Sequence, residues 1–76
     1  MKELAEYMVK SLVDHPEEVK ITEVESEKTS ILEISVASDD IGKVVGKEGR
    51  IIKSLRIILS SSAAKKGKRV VVEMLD

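Results

Sequence analysis

Gly46-Lys47-Glu48-Gly49 is the segment of this chain best suited to chemistry. Two glycines separated by two residues let a turn present its backbone almost bare. A bulky phosphodiester can then approach peptide N–H groups, with the Lys47 cation beside them. A helical pattern begins at Arg50, so the positive end of its dipole points at the same place. Lys43, Arg50 and Lys53 surround the turn with further positive charge. Glu48 runs against this pattern. It repels a phosphate if its side chain points inward, and favours the following helix by about 0.3–1 kcal/mol if it points to solvent.

The elements that must position this turn follow from periodicity. Leu4, Ala5, Met8, Val9 and Leu12 recur at helical spacing, and Asp14-His15-Pro16 ends that helix. His15, the only histidine, is then expected at a helix C-terminus, where a cation is favourable. Val19–Thr22 alternates as a strand whose phase is lost near Val24. Residues 25–30 form a polar turn, and Leu32, Ile34 and Val36 alternate as a second strand. Ser38-Asp39-Asp40 offers N-caps for a short helix to about Val45. A longer helix runs from Arg50 to about Lys65, and Val70–Met74 reads as a last strand. The order α-β-β-α-α-β predicts an α+β two-layer sandwich, three strands backed by three helices.

On a wheel starting at Arg50, residues Ile51, Ile52, Leu55, Ile58, Leu59 and Ala63 fall between about 80° and 220°. That arc is expected to pack on the sheet. Arg50, Lys53 and Arg56 occupy about 240–360°, beside the turn. Ile57 lies among them at about 340°, either as an ordinary exposed apolar residue or as a contact in a protein–protein interface around the second and third helices.

The 76 residues allow one domain, and 36% of them are charged. The net charge of −1 conceals a division. Residues 1–40 carry four basic and eleven acidic side chains, whereas residues 41–69 carry nine basic ones against Glu48 alone. Positive charge is therefore concentrated on the segment that bears the glycine turn, as an electrostatic footprint for nucleic acid should be. Tyr7 is the only aromatic residue, so base stacking on aromatic platforms is not the main mode of recognition. No apolar run is long enough for a membrane span, the N-terminus is unlike a signal peptide, and the expected setting is cytoplasmic.

The stretch Gly42-Lys43-Val44-Val45-Gly46-Lys47-Glu48-Gly49-Arg50-Ile51-Ile52-Lys53 resembles the signature of KH domains, which clamp about four nucleotides of single-stranded nucleic acid. With the element order it resembles the type II KH fold over nearly the whole chain. The N-terminal helix and strand span about residues 2–25, and the β-α-α-β core about 30–75. A free-standing copy is similar to the small bacterial single-domain KhpA-like family. The resemblance implies single-stranded RNA as ligand, and a homodimer or a heterodimer with a second KH protein. It places Gly46, Lys47, Glu48 and Gly49 at the clamp, Arg50, Lys43 and Lys53 on phosphates, and Val45, Ile52 and Leu55 at the groove. A protein-interaction module acting through KH–KH pairing is the alternative.

Catalysis and cofactors find no support. The spacing Gly42–Gly46 and the Glu48 after Lys47 break a nucleotide-hydrolase loop, and no G-x-G-x-x-G is present. Without cysteine, and with one histidine, no metal site is expected. Ser60-Ser61-Ser62 has no base positioned to activate it. No small-molecule substrate is implied.

Overall fold

The computed structural model of the chain describes residues 1–75. Helix α1 (Lys2–Lys10) leads to strands β1 (Lys20–Glu25) and β2 (Thr29–Ser35). Helices α2 (Ile41–Val45) and α3 (Arg50–Ala64) follow, and strand β3 (Arg69–Leu75) closes the fold. Single 3-10 turns at Pro16–Glu18, Ser38–Asp40 and Lys47–Gly49 punctuate this order. The sheet runs β1-β2-β3, with β1 antiparallel and β3 parallel to the central strand. Parallel neighbours require a crossover, and α2, the glycine turn and α3 supply it. The turn is thus carried on the connection between two adjacent strands. The architecture is the expected α+β two-layer sandwich.

Strand β2 alternates throughout. Ser30, Leu32 and Ile34 are buried, while Thr29, Ile31, Glu33 and Ser35 are half-exposed on the other face. Ile21 lies opposite Ile34, and Val72 opposite Leu32, so three strands feed one inner face. Ala5 and Val9 of α1, Val44 of α2, and Ile52, Leu55, Leu59 and Ala63 of α3 close over it. The lost phase near Val24 has a side-chain origin. The strand keeps its alternation: Glu23 follows Ile21 onto the inner side, where it accepts a hydrogen bond from the Ser30 hydroxyl at 2.6 Å, and the apolar Val24 falls on the outer face.

Two helical expectations are corrected. Helix α1 stops at Lys10, where the Ser11 hydroxyl donates to the Tyr7 carbonyl at 2.7 Å and closes the last turn. His15 therefore lies beyond the helix, ahead of the 3-10 turn at Pro16–Glu18. Ile58, at the margin of the apolar arc, is 49% exposed, whereas Ile52, Leu55, Leu59 and Ala63 nearer its centre are buried. Ile57 is exposed, as its wheel position requires.

Candidate nucleic-acid interface

Three positive-φ residues among positions 46–49 build the turn. Gly46 has φ 77° and ψ 174°, Glu48 has φ 57° and Gly49 has φ 73°. The Gly49 N–H donates to the Gly46 carbonyl at 3.1 Å, and no turn hydrogen bond uses the N–H of Lys47 or Glu48. Gly49 is the N-cap of α3 and provides no side-chain cap. The Arg50 N–H, the first of this 15-residue helix, donates to the Lys47 carbonyl, so it is the positive end of the α3 dipole, with the N–H groups of Lys47 and Glu48, that faces the turn. Lys47, Arg50 and Lys53 are all exposed around it.

Glu48 points along the surface, and its Oε1 lies 3.3 Å from Nη2 of Arg50. It thus partners the guanidinium of the first residue of α3. Both side chains are more than two-thirds exposed, so this pair holds weakly.

Lys43 is engaged elsewhere. Its Nζ lies 3.2 Å from Asp14 Oδ2 and 3.6 Å from Asp40 Oδ1. Those two carboxylates raise its pKa, the Asp14 hydrogen bond most of all. Two acids around one lysine leave no net positive charge there, so the cationic rim of the turn is Lys47, Arg50 and Lys53. Asp40 also departs from its expected role. It precedes α2 but makes no side-chain cap. Its fully buried carboxylate instead accepts the N–H groups of Asp14 at 3.1 Å and His15 at 2.9 Å. The start of α2 is thereby stapled to the α1–β1 connection.

Among the groove candidates, Ile52 and Leu55 are buried in the core and fix α3 against the sheet, while Val45 is half-buried beside the turn. Arg56 was expected on the rim with Arg50 and Lys53. It reaches instead to the β3 edge, where Nε and Nη2 donate to the Val72 carbonyl at 3.4 and 3.3 Å. Its wheel position at about 240°, bordering the buried arc, is the one sign in the sequence of that reach. His15, Glu17 and Glu18 place ligand atoms within 4.8 Å of one another, but on an exposed turn. No helix among the described residues is long and apolar enough to cross a membrane.

A parallel β2–β3 pair bridged by helix, GxxG turn and helix, with an antiparallel strand and helix ahead of it, defines a type II KH domain. The family model described as "KhpA/KhpB, KH domain" matches residues 2–74. Relatives described as "RNA-binding protein KhpA" align with nearly the whole chain. That from Clostridium acetobutylicum is 52% identical over 75 residues, 99% of this chain and 100% of its own. That from Chlamydia pneumoniae is 51% identical over 76 residues, 100% of this chain and 97% of its own. That from Aquifex aeolicus is 46% identical over 76 residues, 100% of this chain and 96% of its own. No solved structure matches the chain. The chain belongs to the KhpA/KhpB KH-domain family, whose relatives are described as binding proteins and not as enzymes.

Proposed function

We propose that this chain, an RNA-binding member of the KH family, grips the sugar-phosphate backbone of single-stranded RNA at Gly46–Gly49. It acts as a non-enzymatic adaptor or chaperone in the cytoplasm. The observation that carries this reading is the glycine turn at the positive end of the α3 dipole, without a side-chain cap and ringed by Lys47, Arg50 and Lys53. Those three cations supply affinity without sequence information. About three phosphate contacts correspond to a log–log salt slope near −2 on a single strand.

The test is fluorescence anisotropy of labelled short RNAs with wild type and the double variant Lys47→Asp, Glu48→Asp. Both positions are exposed, an aspartate tolerates the left-handed conformation at 48, and acids suit the start of α3, so the variant folds. Its affinity is expected to fall by about tenfold or more, because the charge at position 47 is reversed beside a carboxylate already present at 48. Equal binding by the folded variant removes the turn from the mechanism. The single change Glu48→Gln frees Arg50 and tightens binding by roughly two- to fivefold at low salt. Unchanged affinity there would mean the Glu48–Arg50 pair does not compete with RNA.

A second reading, pairing with another copy or a second KH protein, is favoured by one observation. Ile57 and Ile58 are adjacent on α3 and are 67% and 49% exposed. A grip on about four nucleotides is weak, and a second linked site multiplies the effective affinity. Ile57→Asp is expected to weaken self-association in sedimentation velocity while moving the domain's stability by less than about 0.5 kcal/mol. Normal association of this variant would take Ile57 out of the interface.

A further inference from the structure

The helices close over the inner face of the sheet, and no described element covers the outer one. Register fixes what that outer face presents. Val24, Ile31 and Val71 stand side by side on β1, β2 and β3, an apolar row across the whole sheet. Val24 is 55% exposed, and Ile31 and Val71 are half-exposed. Two residues along the strands on one side of this row come Thr29 and Arg69. Two residues along on the other side come Thr22, Glu33 and Glu73. Glu33 and Glu73 are direct neighbours, and like charges so placed weaken a sheet. Neither of them, nor Arg69, has an ion-pair partner among the described residues. The fold itself gains nothing from this pattern. Two carboxylates stand together, and the guanidinium that would offset them is on the far side of the apolar row.

We infer that this face pairs with the same face of a second copy. A two-fold axis lying over the apolar row, across the strands, turns one sheet face down on the other. Val24, Ile31 and Val71 of each copy then meet the same row of its mate. The two flanks are exchanged, so Arg69 of each copy comes over Glu33 and Glu73 of the other. Tilting the axis to give the crossing of about 30° usual for stacked sheets keeps Arg69 over that pair. A wholly acidic or wholly basic partner would match one flank and oppose the other, and the carboxylates repel a nucleic acid. Only a face with both signs in the reverse order matches the two flanks at once. Three strands about 4.8 Å apart and seven residues long make a face of roughly 10 by 20 Å. Such a contact buries less than about 1,200 Å² in total, the size of a transient interface. It is independent of the RNA reading and of pairing through Ile57, which lies on α3 in the other layer. With both contacts intact, copies alternate between the two faces and grow beyond a dimer.

The experiment is sedimentation equilibrium of the whole chain carrying Ile57→Asp, at concentrations up to about 1 mM. That change removes the α3 contact and leaves the sheet to associate, and circular dichroism checks that every variant is folded. The Ile57→Asp protein is expected to show a monomer–dimer equilibrium that weakens as salt rises. Adding either Arg69→Glu or Glu73→Arg brings like charges together and weakens dimerisation by about tenfold or more. Mixing the two swapped proteins in equal amounts restores it to within about threefold, because position 69 of each then meets its opposite charge on the other. An Ile57→Asp protein that stays monomeric throughout this range overturns the inference. So does a dimer that neither swap disturbs, since it belongs to another surface. Two swapped proteins that remain apart when mixed also overturn it, because the flanks then do not meet. None of these outcomes touches the RNA reading.

Discussion

Gly46→Ala is expected to lose about 2–4 kcal/mol of stability, a large share of the roughly 4–11 kcal/mol available to a domain of this size. Two causes act together. With φ 77° and ψ 174°, Gly46 holds a backbone conformation that a side chain resists. A Cβ there would also lie 2.6 Å from Ile51 Cγ1 and 2.9 Å from Ile51 Cβ. The second of these atoms is fixed to the α3 backbone, so rotating the isoleucine does not relieve the clash. Either α3 shifts from the sheet or the turn opens. Gly42→Ala provides the opposite sign. That glycine sits in α2 with nothing within 4 Å of the added methyl, and alanine there is expected to gain about 0.5–1 kcal/mol. Thermal unfolding by circular dichroism checks both, with melting temperatures moving apart by roughly 10 °C or more. Two variants melting together would mean that the turn is not built on Gly46.

The strength of that pair of predictions shows where sequence reading reaches. Element order was legible because apolar spacing is a local property. Leu32 and Ile34 alternate, and Ile52, Leu55 and Leu59 keep helical period, whatever lies opposite them. The turn was legible because Gly46 and Gly49 announce backbone that other residues resist. What failed was set by contacts distant in sequence. Asp40 looked like a helix cap, yet it serves N–H groups 25 and 26 residues away. Lys43 reads as one more cation beside the turn, and nothing in its spacing shows that Asp14 lies 3.2 Å away. Arg56 reads as one more cation on a helical rim, because the strand edge it reaches is formed only when β3 docks on β2. Ile58 was assigned to the core because a wheel shows direction but not where the covering layer ends. In each case the partner, not the residue, carried the information.

Asp40→Asn should lower the melting temperature at neutral pH by roughly 10 °C or more, and the deficit should shrink as the solution is acidified. The carboxylate is fully buried, and both of its oxygens accept backbone N–H groups. An asparagine keeps one acceptor and turns an amide donor on the other N–H, leaving buried donors facing each other. It also removes one of the two charges that hold Lys43. The pH dependence follows from the direction of the Asp40 shift. Burial by itself would raise its pKa. The N–H groups of Asp14 and His15, followed by the charges of His15 and Lys43, outweigh that and hold it below its ordinary value of 3.8. A carboxyl lowered on folding contributes stability in full above about pH 4 and loses it as pH falls through the folded-state value. Lys43, raised from 10.5, works from the other side: its contribution is full below that value and is lost as pH rises through the folded one. Wild type should therefore lose stability at both extremes, and Asp40→Asn should show a flatter acid limb. Melting curves of the two proteins from neutral pH down to about pH 2 decide the matter. A constant gap would mean that the aspartate acts through shape alone, with its charge irrelevant to the staple. A closing gap would identify the buried carboxylate as the group that fixes α2, and with it the approach to the glycine turn, against the rest of the domain.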